Sequence, residues 1–271
     1  MKKNRNFSEV IIEKFKKYRC FLCYSILIFI LLAGIVMYCK KYNTLNNLMK
    51  LVRETFKNTT TYDIFNTDLY YINLLERTDR KNQILEELKN INYPEKNIHR
   101  VDAIKMSDGS LGCGLSHIKT LYTGLYNKGE NDFIIVMEDD FMWKIEYDKI
   151  VELLNKAINF KDWNVILLAC NGKNTPFNEF LNKTESCQTA SGYIIKKSYI
   201  PSLLNVWENN MEKKRLLNDG ILFTEYNHEN TCIDQCWKKL QNDNWYTIKP
   251  VIGKQRPSWS DIEKVYVDYK V

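Results

Sequence analysis

Histidine is scarce in this sequence, three in 271 residues, and no C-x-x-C pair occurs beyond residue 57. With neither a C-x-x-C pair nor a His-Cys cluster to support it, no structural zinc site is expected in that part of the chain. No G-x-S-x-G elbow surrounds a serine, which argues against hydrolase chemistry even though Ser116, His117 and Asp139 are available. P-loops, dinucleotide fingerprints and internal repeats are also absent, and the small-residue run Gly112-Cys113-Gly114 is too loose to stand in for them. Basic charge is missing where a nucleic acid would need it. Residues 1–57 hold twelve basic and three acidic side chains, so the formal +6 of the chain becomes −3 over residues 58–271. No nucleic-acid partner is expected for that larger part.

One long apolar run is present. Phe21 to Cys39 contains no charged residue and is long enough to cross a bilayer as a single helix. Lys14, Lys16, Lys17 and Arg19 precede it, Lys40 and Lys41 follow it, and no small-residue cleavage site comes after. The reading is an uncleaved signal anchor. Seven Lys or Arg in residues 1–20 against five in residues 40–57 favour a cytoplasmic N-terminus. This predicts a single-pass type II protein of a Golgi- or ER-like membrane, or of a viral or host membrane. The expected organisation is a basic segment at 1–20, the anchor at 21–39, a polar stem at 40–67 and one α/β domain at 68–271. That domain holds five cysteines, Cys113, Cys170, Cys187, Cys232 and Cys236, an odd number for a fold closed entirely by disulfides. Sequons at Asn58 and Asn182 are usable only if the domain faces a lumen.

The stretch Phe133 to Phe141, FIIVMEDDF, organises the rest. Ile134 to Met137 read as a strand buried on both faces, which implies a mostly parallel sheet covered by helices. It runs directly into Glu138, Asp139 and Asp140. Adjacent carboxylates at the end of a buried strand repel one another unless water or a cation faces them. Ligands of open α/β sheets bind just outside the carboxyl ends of strands, and hard divalent ions take oxygen ligands. The alternative is a solvated acidic turn that caps the next helix.

Strands are predicted at 69–74, 98–101, 165–169, 191–195 and 245–248, with helices after Thr78, from Gly112, over 148–160, over 199–206 and over 231–240. Alternation of these elements predicts a doubly wound α/β sheet with helices on both faces. Residues 207–230 read as a variable loop with a short helix, and the tail from Pro250 as a segment folding back over the ligand edge of the sheet.

Several blocks stand in one order: YINLLERTDR at 71–80, HRVDAI at 99–104, SLGCGLSHI at 110–118, IIVMEDDF at 134–141, a late IDQCW and a closing SDIE. In this the chain resembles glycosyltransferase family 25, which includes bacterial lipooligosaccharide galactosyltransferases and collagen hydroxylysine galactosyltransferases. The resemblance spans roughly residues 69–263. It implies a GT-A fold and transfer of a hexose, galactose or glucose, from a UDP-sugar donor to a glycan, lipid-linked saccharide or protein hydroxyl, with Mn²⁺ or Mg²⁺. Matched by motif, Asn73, Arg77, Asp79, Arg80 and Asp102 lie near the nucleotide, and Gly112, Ser116 and His117 by the donor. Glu138, Asp139 and Asp140 take the place of the metal-binding acidic motif. Asp234 is the candidate base of an inverting transfer, with Asp261 in reserve. The approach to the closing motif, GKQRPSW, lacks a histidine, which removes a late metal ligand found in many GT-A enzymes.

Blander roles stand beside these. Arg77, Asp79 and Arg80 could form a first-turn ion pair on a helix surface, Asp234 could favour a helix dipole, and His117 could be a hydrogen-bonded helix residue. Trp163, Trp237 and Trp245 suit a core, whereas Trp259 in the irregular tail suits sugar stacking. Two other functions compete with transfer: an inactive transferase-fold module holding a partner on a membrane, and a metal-dependent nucleotidyl or phosphoryl transferase.

Overall fold

The computed structural model describes residues 37–38, 40–41, 44, 46–47, 61–129, 131–221, 231–260, 262 and 264–268. The chain divides into two compact units, Met1–Thr61 and Tyr62–Val271. Apart from Met37, Tyr38 and the other few positions just given, the predicted anchor, most of the stem and the Asn58 sequon lie outside the described residues. Among the described residues no helix is long and apolar enough to cross a membrane.

The larger unit is built on one eight-stranded sheet. Its strands are β1 (Leu69–Asn73), β2 (Ile98–Asp102), β3 (Phe133–Glu138), β5 (Val165–Leu167), β6 (Asn171–Pro176), β7 (Leu181–Gln188), β8 (Gly192–Lys196) and β9 (Trp245–Ile248). Across the sheet they run β2-β1-β3-β8-β5-β9-β7-β6. Two small ribbons complete the strands: β4 (Phe141–Trp143) with β10 (Gly253–Gln255), and β11 (Ser258–Trp259) with β12 (Tyr266–Val267).

Side chains alternate across β3 as a strand requires. Phe133, Ile135 and Met137 enter one core layer, with Ile84 and Leu88 of helix α1 (Thr78–Asn90) and Ile150 and Leu154 of α3 (Tyr147–Ile158). Ile134 and Val136 enter the opposite layer, with Leu111, Ile118 and Leu121 of α2 (Gly109–Tyr126) and Leu203 and Trp207 of α4 (Ile200–Asn218). Each such fully buried aliphatic side chain contributes roughly 1.5–3 kcal/mol. The two-sided burial that the apolar run predicts is therefore present, with helices on both faces.

The direction of the strands needs a correction. Six of the eight point one way, but β7 and β8 run against them, and β3 has parallel β1 on one side and antiparallel β8 on the other. The sheet is mixed, mostly parallel in direction and not doubly wound throughout. A two-sided apolar strand such as GYIIK has the same pattern in either direction, so its sequence carries no sign of the reversal.

Other departures have equally local causes. Residues 207–218 continue α4 where a loop was expected, because Trp207, Asn210, Met211 and Lys214 recur at helical spacing with two polar residues on the buried stripe. Lys214 is tolerated there because its ammonium meets the Asp108 carboxylate at 3.8 Å and the Thr231 hydroxyl at 3.5 Å. The predicted helix at 231–240 is a single turn, α5 (Ile233–Cys236), followed by a 3-10 turn over Trp237–Leu240. Ile233, Cys236 and Trp237 still point inward as expected. The β6–β7 hairpin was not foreseen, being polar at the edge of the sheet. A disulfide, Cys170–Cys187, ties the residue just before β6 to β7. The Asn182 sequon lies in β7, where Asn182 is half-buried and Thr184 is buried with its hydroxyl 2.9 Å from that of Thr247.

Candidate active site

Parallel pairing of β1 with β3 sets Ile72 opposite Glu138 and so brings the ends of both strands to one edge. Asn73, the last residue of β1, is buried and donates its amide N–H groups to Asp139 Oδ2 at 2.7 Å and to the Arg77 carbonyl at 3.0 Å. Its own oxygen accepts from Arg100 Nε of β2 at 3.1 Å. The chain then turns into α1, whose first turn delivers Arg80. That guanidinium donates to Asp139 Oδ1 (3.1 Å), Asp140 Oδ2 (3.4 Å), Ser258 Oγ (2.8 Å) and the Trp259 carbonyl (2.8 Å). One arginine thus ties the acidic triplet to the C-terminal tail. The helix itself starts without a side-chain cap: Arg77 occupies the N-cap position, and neither Thr78 nor Asp79 caps it.

Both oxygens of Asp139 are consumed by Asn73 and Arg80. Asp140 differs: its Oδ1 is buried and has no hydrogen-bond partner. Burial, then the neighbouring charge of Glu138, raises the Asp140 carboxyl above its ordinary range, with Arg80 opposing. Burial also raises Asp139, again against Arg80. A desolvated carboxylate oxygen without a donor fits a cation, and Asp140 with Glu138 forms the oxygen set that could hold Mn²⁺ or Mg²⁺.

The opposite wall comes from α2. Asp108 caps this helix by accepting from the Ser110 and Leu111 N–H groups at 2.9 and 3.0 Å, so it begins three residues before Gly112. Gly112 lies under the preceding loop, where a Cβ would stand 2.5 Å from the Ile104 carbonyl oxygen. Ser116 Oγ accepts from the Ile104 N–H (2.7 Å) and donates to the Gly112 carbonyl (2.6 Å), which makes it a clamp for that loop. His117 is fully buried, with Nε2 3.0 Å from Glu138 Oε1 and Nδ1 3.1 Å from the Tyr193 hydroxyl. Cys113 Sγ lies 3.7 Å from the same Glu138 oxygen.

Between these walls is a cleft of about 280 Å³. Arg77, Arg80, Cys113, Ser116, His117 and all three acidic residues line it, with Lys105, Gln255 and Arg256. The tail closes it as its composition predicts, contributing Ser258, Ser260, Ile262, Lys264 and Val267. Two buried guanidinium nitrogens, Arg80 Nε and Arg256 Nε, have no acceptor. The remainder of the Arg256 side chain is held by Glu87 at 2.5 Å.

Other predicted residues stand aside. Asp79 is exposed and pairs with Arg77 at 2.9 Å, which lowers its carboxyl to about 2 and matches the surface-pair alternative. Asp102 is exposed and pairs with Arg100 at 2.7 Å. Asp234 lies outside the cleft lining, accepts from the Thr189 N–H at 3.2 Å, and is raised above the ordinary carboxylate range first by burial. Asp261 lies outside the described residues. Trp163, Trp237 and Trp245 are core residues, and Trp259 is exposed.

Arg100, Gln255 and Arg256 were not singled out from the sequence. Nothing in the pattern of 253–256 marks it as part of a site. Cys113 did carry a signal, because it stands four residues before His117 and α2 places both on one face.

A search of curated proteins finds no match. Among solved structures, the glycosyltransferase GlyE of Streptococcus pneumoniae TIGR4 aligns with a TM-score of 0.36 and 9% identity over 68% of this chain and 46% of its own. This chain therefore spans less than half the length of GlyE. A glycosyltransferase involved in glycosylating the major capsid of PBCV-1 aligns at 0.35 and 9% identity over 68% of this chain and 93% of its own. HddC from Yersinia pseudotuberculosis aligns at 0.27 and 12% identity, covering 57% and 64%. The family model described as Glycosyltransferase family 25 (LPS biosynthesis protein) matches residues 90–220, a span that includes the Gly112–His117 helix start and the Glu138–Asp140 strand end. Over residues 90–220 the chain is thus similar to glycosyltransferase family 25.

Proposed function

We propose that this chain is a membrane-anchored, GT-A-like, metal-dependent enzyme that moves a hexose, galactose or glucose, from a UDP-sugar to a hydroxyl of a glycan, lipid-linked saccharide or protein, with inversion. The observation that carries the reading is the set of unmatched groups in one cleft: Arg80 Nε and Arg256 Nε without acceptors, and Asp140 Oδ1 without a donor. A nucleoside diphosphate supplies acceptors to the two cations, and a divalent ion supplies the charge that the carboxylate lacks. Buried groups left in that state each cost about 1–3 kcal/mol, which a ligand returns on binding.

In this reading Arg80 and Arg256 grip the diphosphate, and Asp139 is a positioning residue that fixes Asn73 and Arg80. Ser116 and Gly112 hold the loop at Ile104 to Met106 as a wall of the cleft. Asp140 and Glu138 would hold the Mn²⁺ or Mg²⁺, which when bound stabilises the negative charge developing on the departing diphosphate. Asp234, kept protonatable by burial, is the candidate acceptor of the incoming hydroxyl's proton, and Asp261 the reserve. In the tail, Trp259 offers an exposed indole between the cleft-lining Ser258 and Ser260 and is the candidate for stacking on an acceptor sugar. The apolar run Phe21 to Cys39 is the proposed anchor.

The test is UDP release by the full-length chain from a panel of UDP-hexoses, with and without Mn²⁺, in wild type and in Asp139→Ala/Asp140→Ala. Mn²⁺-dependent release from one donor, lost in the double variant, is the expected result. Absence of release from every donor, combined with metal-independent capture of a protein partner, would replace the enzyme by a binding module.

A further inference from the structure

We propose that Cys113, His117 and Glu138 Oε1 form a second cation site, one for a thiophilic ion such as Zn²⁺, which shares the Glu138 carboxylate with the all-oxygen site at Asp140. Their ligand atoms, a thiol sulfur, an imidazole nitrogen and a carboxylate oxygen, all lie within 4.8 Å of one another. Tetrahedral zinc sites are built from this set of ligand types, commonly three protein groups and one open position. Thiolate and imidazole select Zn²⁺ over Mn²⁺ or Mg²⁺, whereas the carboxylates at Asp140 select the reverse.

Three features make this a built site and not a chance cluster. Cys113 and His117 are separated by one turn of α2, so a rigid element sets their spacing. The far nitrogen of His117 meets the buried Tyr193 hydroxyl at 3.1 Å, the kind of outer partner that orients a ligating imidazole. All three ligands also border the cleft, which leaves a fourth position open to water or to a bound molecule.

Without metal, the Cys113 S–H and the His117 Nε2–H both aim at the single oxygen Glu138 Oε1, at 3.7 and 3.0 Å. Zn²⁺ binding forms Zn–S, Zn–N and Zn–O bonds and breaks the S–H bond, whose proton leaves to solvent. The imidazole stays neutral by moving its proton to Nδ1, where the Tyr193 hydroxyl accepts it. A tyrosine hydroxyl donates or accepts equally well, so it serves both tautomers. The metal-free site carries one negative charge and the filled site carries none.

Co²⁺ titration of the full-length chain tests this, because a thiolate ligand gives Co²⁺ a near-ultraviolet charge-transfer band that an all-oxygen site lacks. One equivalent of band is expected. Zn²⁺ should bleach it, and it should survive in Asp140→Asn, fall by at least about tenfold in affinity in His117→Gln, and vanish in Cys113→Ser. Peptide mapping of thiol alkylation in the wild type keeps the test open if a variant fails to fold: Zn²⁺ should slow modification of Cys113 selectively over Cys232. A missing band, a band that persists in Cys113→Ser, or equal alkylation of Cys113 with and without Zn²⁺ overturns the proposal. The Asp140→Asn arm separates this outcome from failure of the diphosphate site.

Discussion

Replacing Arg80 by alanine is the most demanding perturbation of this architecture. The side chain is about nine-tenths buried, as are its two carboxylate partners, with side-chain exposures of 11%, 10% and 13% for Arg80, Asp139 and Asp140. Removing one member of a buried ion pair leaves uncompensated charge and costs about 3–5 kcal/mol. Here the loss is compounded, because Ser258 Oγ and the Trp259 carbonyl lose their donor in the same step. A folded unit of this size has about 5–15 kcal/mol in total, and each kcal/mol shifts Tm by roughly 2–4 °C. Arg80→Ala should therefore lower Tm by about 6–20 °C in thermal melts of the full-length chain and expose the tail after Gln255 to limited proteolysis. Adding Asp140→Asn in the Arg80→Ala background should restore part of the loss, since the charge left unpaired is then gone. A Tm within about 3 °C of wild type, corresponding to roughly 1 kcal/mol, or a double variant no better than the single one, would refute the claim that Arg80 neutralises the triplet.

Other expectations follow from the same geometry. Gly112→Ala puts a methyl 2.5 Å from the Ile104 carbonyl oxygen, and the forced shift should cost about 1–3 kcal/mol in urea unfolding while weakening donor binding. Burial holds the folded-state Asp234 carboxyl above its unfolded value, so the native protein keeps a proton that the unfolded chain has released. Stability should then fall as pH rises from about 4 toward the folded pKa; melts of Asp234→Asn should show a shallower decline, the rest coming from the likewise raised Asp139 and Asp140, and parallel curves would remove Asp234 from the account. Reduction of Cys170–Cys187, which spans 17 residues, should cost roughly 3 kcal/mol by loop entropy. Dithiothreitol should therefore lower the Tm of the wild type and leave Cys170→Ser/Cys187→Ser unchanged.

Much of this arrangement is legible in the sequence because its signals are local. The FIIVM run specifies a two-sided strand whatever its neighbours do, and its end at Glu138 fixes where the acidic side chains emerge. Helical spacing in 78–90 and 109–126 likewise survives into the fold. What escaped depends on partners distant in sequence. The reversal of β8 and the Cys170–Cys187 pairing are set by strand order, which no single segment encodes. Lys214 and Asn210 disguised the second half of α4 as a loop, because their burial depends on groups such as Asp108 and Thr231 in other elements. At the site, the motif brought Asn73, Arg80, Glu138, Asp139, Asp140 and His117 together, but it could not divide their roles. Only the hydrogen bonds distinguish Asp139, with both oxygens engaged, from Asp140, with one oxygen unmatched. Asp79 and Asp102 share the motif yet pair locally with Arg77 and Arg100 at the surface.

The central claim is that the strand-end cleft takes a nucleoside diphosphate together with a divalent cation held at Asp140. Calorimetric titration of UDP into the full-length chain, with Mn²⁺ and with chelator, measures it directly in wild type and Asp140→Asn. The account predicts binding at least about tenfold tighter, or 1.4 kcal/mol, with Mn²⁺ in the wild type, and no Mn²⁺ dependence in the variant. Equal UDP affinity with and without Mn²⁺ in the wild type, or an undiminished Mn²⁺ effect in Asp140→Asn, would contradict it.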